Sequence, residues 1–165
     1  MKRMIFVFVL PVVLLIQACT VNNVRTDDSL KKFFDEKQVT GTFGMFDNSR
    51  GQFTIYDLDK FKTPYLPAST FKIVNSLIAL QIGRVLDDST IIKWDGISRW
   101  NPEWNQDLSL YRAFRVSSVP HFQSIARLIG KDTMQFWLDS LKYGNKNMGN
   151  TVDSFWLDGS LTITP

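Results

Sequence analysis

The sequence predicts an α+β domain, and three observations predict it. Val39 to Phe46 and Gln52 to Tyr56 alternate apolar and polar residues around the turn-forming run Asp47-Asn48-Ser49-Arg50-Gly51, which is the pattern of a β-hairpin. Beyond Pro67 the apolar residues fall at helical spacing, and the later helices are bounded by Pro, Asp and Gly signals. The 165 residues are 44% hydrophobic and 13% aromatic, enough to bury one core, which excludes a disordered chain.

Residues 1–18 read as an export signal of the lipoprotein type. Lys2 and Arg3 precede an apolar run from Met4 to Ile16 that is too short and wrongly flanked to span a membrane stably. The run ends Leu15-Ile16-Gln17-Ala18-Cys19, which resembles a bacterial lipobox with Gln17 in place of the usual small residue. Cys19 is then the residue to be lipidated, and the expected location is the periplasm, with a membrane partner only through that anchor. Cys19 is also the only cysteine, so an intramolecular disulfide and a cysteine metal cluster are excluded. Removal of residues 1–18 takes two basic residues and no acidic one, which leaves 17 basic against 16 acidic with no basic run, so nucleic acid is excluded as a partner.

Residues 19–32 are polar and predicted to tether the membrane to a domain over residues 33–165. After the hairpin, a loop with Pro64 and Pro67 leads into a helix opened by Ser69. Phe71, Ile73, Val74, Leu77, Ile78 and Leu80 make that helix apolar nearly all round, as in a buried central helix, and Gly83 lies just past its end. Residues 87–106, with Trp94, Trp100 and Trp104, are predicted irregular but packed. Asp107 is the expected cap of a short helix reaching Arg115. A helix from Val119 to Ile129 starts at Pro120 and stops at Gly130, and Asp132 is the expected cap of a last helix that runs to about Lys142 and closes at Tyr143-Gly144-Asn145. Two apolar stretches follow, Phe155-Trp156-Leu157 and Leu161-Thr162-Ile163-Thr164.

Chemistry concentrates at Pro67-Ala68-Ser69-Thr70-Phe71-Lys72. Residues three apart on a helix are neighbours, so Lys72 reaches back to the Ser69 hydroxyl. Serine is a weak nucleophile until a base takes its proton, and a free lysine is protonated, so the pair works only where burial keeps the amine neutral. A neutral buried amine can also add carbon dioxide and become a carbamate; the residues alone leave both forms of base open, as they leave open Ser69 as a plain helix cap and Lys72 as a surface charge. The same spacing recurs at Ser29-Leu30-Lys31-Lys32, in a polar segment where solvated charge is the ordinary reading.

Three further clusters follow in order: Ser117-Ser118-Val119 at a helix start, Tyr143-Gly144-Asn145 at a helix end, and Phe155-Trp156-Leu157. With Pro67 to Lys72 they resemble the class D (OXA-type) serine β-lactamases. The resemblance runs from about Gly41 to Pro165, through Lys93-Trp94-Asp95-Gly96, Trp104-Asn105-Gln106-Asp107-Leu108 and Val119-Pro120-His121-Phe122-Gln123. It implies the serine β-lactamase/transpeptidase-like fold, an α/β sandwich, of which residues 33–165 are the N-terminal part. It further implies a β-lactam substrate and no cofactor apart from a carbon dioxide adduct on Lys72.

Ser69 would form the acyl-ester, Lys72 would be the general base, and Ser117 would pass a proton to the leaving nitrogen. Trp156 would donate its indole N–H to the adduct, with Val119 and Leu157 shielding it; Phe71, Tyr143, Gly144 and Asn145 would complete the pocket. Strands that in the family follow this point, one with Lys-Thr-Gly or Lys-Ser-Gly, and a C-terminal helix are not in the sequence, so a truncated chain is expected, with an open apolar edge on the hairpin. Two other readings stay open: a penicillin-binding or sensing domain acylated without turnover, and an inactive remnant. A histidine hydrolase is disfavoured because His121 is the only histidine.

Overall fold

The computed structural model describes residues 23–165; Cys19 and the export signal lie outside them. A short strand β1 (Val24–Thr26) precedes α1 (Lys31–Glu36). The hairpin forms as strands β2 (Phe43–Asp47) and β3 (Gln52–Tyr56), paired antiparallel with Met45 opposite Thr54. β1 pairs parallel with β3, Val24 opposite Phe53, so the sheet order is β1-β3-β2. Part of the stretch expected to be a tether is therefore sheet. The Phe53 N–H donates to Asn23 O at 2.7 Å and the Asp27 N–H to Ile55 O at 2.9 Å, which gives the edge of β3 a partner that water would otherwise supply.

The sheet carries a short helix α2 (Leu58–Lys62) in the stretch expected to be loop. Its cap is Asp57, whose carboxylate accepts the Lys60 N–H at 3.1 Å. The Phe61 ring of α2 lies against Gly44, where a Cβ would stand 2.2 Å from it, so β2 and α2 touch only because position 44 has no side chain.

The helical layer holds the core. After a single 3₁₀ turn at Ala68–Thr70 comes α3 (Phe71–Gln81), then the two-residue strands β4 (Ile91–Ile92) and β5 (Leu108–Ser109), α4 (Leu110–Arg115), α5 (Val119–Ile129) and α6 (Lys131–Ser140). Phe71, Ile78, Ala79, Phe122, Ile125, Ala126, Met134, Leu138, Phe155, Trp156 and Leu161 are buried in one cluster. Burying large apolar side chains is worth about 1.5–3 kcal/mol each, so this cluster, not the three-stranded sheet, holds the fold. Inside it the Asn75 Nδ2 donates to Phe122 O at 3.0 Å, tying α3 to α5.

Three expectations are corrected. α3 is not buried all round: Phe71, Lys72, Asn75, Ile78 and Ala79 face the core, while Ile73 and Leu77 are 54% and 60% exposed. The loop of residues 87–106 packs only in part, since Trp100 is 83% exposed. The caps also differ. Ser109 caps α4 by accepting the Arg112 N–H at 3.2 Å, whereas Asp107 accepts from the Trp94 N–H and Lys93; Gly130 holds the cap position of α6, with Asp132 merely in its first turn. The helix from Val119 to Ile129 has the predicted ends.

Candidate active site

Ser69 sits in the 3₁₀ turn that feeds α3, with its side chain open to solvent, and Lys72 lies one turn on with 2% exposure. The entry is held tightly. Ala68 has φ +47, a left-handed backbone costly for a residue with a Cβ, and its N–H donates to Trp156 O at 3.1 Å; the Thr70 hydroxyl donates to Pro67 O at 2.6 Å. Lys72 Nζ then donates to Ser69 Oγ at 2.8 Å. The tight turn brings nucleophile and amine within direct hydrogen-bond reach.

Ser117 completes a triangle. Its Oγ lies 3.1 Å from Ser69 Oγ and 3.1 Å from Lys72 Nζ, although it stands 48 residues beyond Ser69. It belongs to the turn between α4 and α5 and has φ +52. Val119, the first residue of α5, is half-buried beside it.

Burial pushes the Lys72 ammonium below the usual lysine range, and among the described residues no carboxylate forms an ion pair with it. Beyond the two serine hydroxyls, the Phe122 ring faces it, 5.7 Å from Nζ to the centroid. Phe122 was not singled out from the sequence. The available signal was its spacing of three from Val119, which puts both on one face of α5 toward α3.

The remaining predicted residues pack on Phe71 or hold the chain beyond Tyr143. Phe71 is fully buried; Trp156 stacks on it with centroids 5.3 Å apart and Tyr143 meets it edge-on at 5.7 Å. Burial raises the Tyr143 phenol, opposed by a hydrogen bond with the Thr70 side chain. Leu157 is half-buried next to Trp156. Gly144 and Asn145 act on the chain rather than on the triangle. Asn145 donates its N–H to Thr162 O at 3.0 Å and its Nδ2–H to Ser160 O at 2.8 Å, and a Cβ on Gly144, at φ +52, would stand 2.0 Å from Thr162 O.

The second Ser-x-x-Lys is separated from this chemistry: Ser29 Oγ donates to Asp27 at 2.6 Å and Lys32 Nζ lies over the exposed Phe33 ring. Among the described residues no group of three acidic, histidine or cysteine side chains could hold a metal ion. A hydroxyl nucleophile, a desolvated amine and a second hydroxyl in mutual contact form a unit able to pass a proton from one oxygen to another atom held at the triangle.

Comparison with known proteins gives the family. Residues 24–165 match the family model "Penicillin binding protein transpeptidase domain". The chain is 40% identical over 154 residues to the β-lactamase OXA-5 of Pseudomonas aeruginosa, covering 92% of this chain and 58% of that one. The class D β-lactamase YbXI from Nostoc superimposes with a TM-score of 0.81 at 38% identity, over 84% of this chain and 59% of that one. The C-terminal domain of the Bacillus licheniformis BlaR penicillin receptor gives 0.81 at 36% identity, over 88% and 58%. The chain thus spans somewhat over half the length of these relatives.

Proposed function

This chain belongs to the penicillin-binding protein transpeptidase family, with class D β-lactamases as homologues, and from that premise we propose that it opens the β-lactam ring of penicillin-type antibiotics through an ester on Ser69. The observation that carries the reading is the triangle of Ser69 Oγ, Lys72 Nζ and Ser117 Oγ, with no side longer than 3.1 Å.

In this reading Lys72, kept neutral by burial, accepts the Ser69 proton as Ser69 Oγ bonds to the lactam carbonyl carbon. The Ser69 N–H, at the positive end of α3, stabilises the oxyanion. The C–N bond of the ring breaks as Ser117 delivers a proton to the nitrogen and is resupplied from Lys72. Water then attacks the ester, its proton taken by the same base, which frees Ser69 and the ring-opened acid.

The surroundings of Lys72 suit a carbon dioxide adduct, because a desolvated amine with no carboxylate beside it is nucleophilic. When present, the adduct supplies an anionic base with two acceptor oxygens. Trp156 is the residue to hold it, and Val119 and Leu157 are the residues to keep water from it. Export to the periplasm, a lipid anchor at Cys19 and a role in antibiotic resistance belong to the same proposal.

A second reading is acylation without turnover, as in a penicillin receptor; it is favoured by the likeness to the BlaR domain. Incubation with a chromogenic β-lactam, followed by absorbance and intact mass, separates the two. Turnover is the expected result. A persistent adduct on Ser69 supports the receptor reading, and neither adduct nor turnover overturns both. Added bicarbonate should raise activity and Trp156→Ala should lower it; insensitivity to both removes the adduct from the mechanism.

A further inference from the structure

His121 is the single histidine of the chain and is 2% exposed, three residues beyond the turn that carries Ser117 and Ser118. Its Nε2 lies 3.0 Å from Gln106 O and its Nδ1 lies 2.7 Å from Ser118 Oγ. A carbonyl only accepts, so Nε2 carries the proton, Nδ1 of the neutral ring accepts, and the Ser118 hydroxyl donates to it. Burial, which disfavours a charged ring here, agrees with that tautomer. Ser118 occupies the cap position of α5, yet its hydroxyl makes no capping bond there. The histidine has drawn it away from the role a serine at that place ordinarily fills.

The loop that holds His121 also holds the other side of the turn. Trp104 Nε1 donates to Val116 O at 3.0 Å, two residues before the Gln106 carbonyl that engages the ring. Val116 and Ser118 flank Ser117, so residues 104–106 hold one of its chain neighbours directly, through Trp104, and the other through His121. Ser117 is the residue in need of a grip. With φ +52 it occupies a backbone region costing on the order of 1–3 kcal/mol, which persists only where the surroundings over-determine it. The local backbone supplies two further bonds, Ser117 N–H to Phe114 O at 3.1 Å and Ser118 N–H to Ala113 O at 2.8 Å.

We infer that His121 is a positioning residue for Ser117: through the Ser118 hydroxyl it fixes the left-handed turn that aims Ser117 Oγ at Ser69 and Lys72. No substrate contact is required of it. Its kinetic consequence rests on the proposed function, while its structural consequence stands alone.

Three variants separate the two ends of the ring. His121→Asn keeps an acceptor near the place of Nδ1 but does not reach Gln106; His121→Gln reaches toward Gln106 but leaves Ser118 unpaired; His121→Phe does neither. Amide hydrogen exchange at Ser117 and Ser118 should accelerate about tenfold or more in the Phe and Gln variants, and much less in the Asn variant, with the amides of α6 unchanged. Acylation by a chromogenic β-lactam should fall in the same order, in kcat more than in KM. Because the chain has one histidine, its ¹⁵N spectrum gives one pair of ring signals; at pH 7 Nδ1 should be unprotonated, and Ser118→Ala should shift it.

Equal effects of the Asn and Gln variants, unchanged exchange in the Phe variant, or a protonated Nδ1 would overturn the inference. If His121→Phe does not fold, the comparison of Asn with Gln decides. If the wild-type chain is not acylated, the proposed function is lost, and exchange and ¹⁵N shifts still decide the place of His121.

Discussion

Lys72 is costly to its own fold. Its amine sits in the core layer with two serine hydroxyls for partners and no anion among the described residues, so replacing it with an apolar side chain of similar length removes a desolvation penalty. Lys72→Met should raise the stability of the chain by about 1–2 kcal/mol in urea denaturation while abolishing acylation of Ser69. A loss of stability would show that the Lys72 hydrogen bonds outweigh its burial. His121 gives a pH dependence. Burial lowers its affinity for a proton in the native state below that of the unfolded chain, so the unfolded state binds more protons as pH falls from about 6.5. Asp95 and Asp107 oppose that shift and Arg99 reinforces it. The stability that His121 contributes is present above its unfolded pKa and lost as pH falls through its native one. Denaturation midpoints at pH 7.5 and pH 5 should therefore differ more for wild type than for a folded His121→Asn variant. Of this scale the sequence made the reach of Lys72 to Ser69 legible as a geometry, but the same spacing at Ser29 and Lys32 yields no such contact, so the family resemblance had to choose between them. Ser117 was not legible that way, since nothing in spacing joins residues 48 apart; the family resemblance supplied it.

Among the elements, helix ends are legible in the sequence where proline and glycine impose them and less so where several side chains compete. Pro120 and Gly130 bound α5 as predicted, because one lacks an N–H and the other takes φ +82. At α4 the expected cap, Asp107, pairs instead with Lys93 at 2.6 Å, and Ser109, directly before Leu110, takes the role. Ser109→Ala should accordingly cost about 1 kcal/mol by thermal denaturation, while Asp132→Ala, in the first turn of α6 without a capping bond, should cost a few tenths. Comparable losses would mean that the first-turn charge of α6 counts for as much as a bonded cap. β1 was missed for a different reason. Three residues, Val24-Arg25-Thr26, carry too little pattern to announce a strand, and only the neighbouring β3 selects it.

At the scale of the molecule the apolar surface divides unequally. The helical layer encloses its core, whereas β2 shows Phe43, Met45 and Phe46 at 47%, 51% and 48% exposure and, among the described residues, pairs only with β3. An edge strand without charge on its central residues invites pairing between chains. Met45→Lys should lower self-association in sedimentation at raised concentration, and an unchanged profile would place the association elsewhere. The expected open edge was legible from the resemblance; the exposed face of α3 was not, because periodicity reports that a helix is apolar without saying what covers it. Closure of the site has its own geography. Residues 65–68 are secured from far along the chain: Tyr65 and Ile163 exchange two 2.8 Å bonds, and Ala68 is bonded to Trp156. During synthesis those partners emerge long after Ser69 itself. The nucleophile's turn therefore sets only when residues 156 and 163 have folded back onto it, and until then the chain carries its serine unarmed.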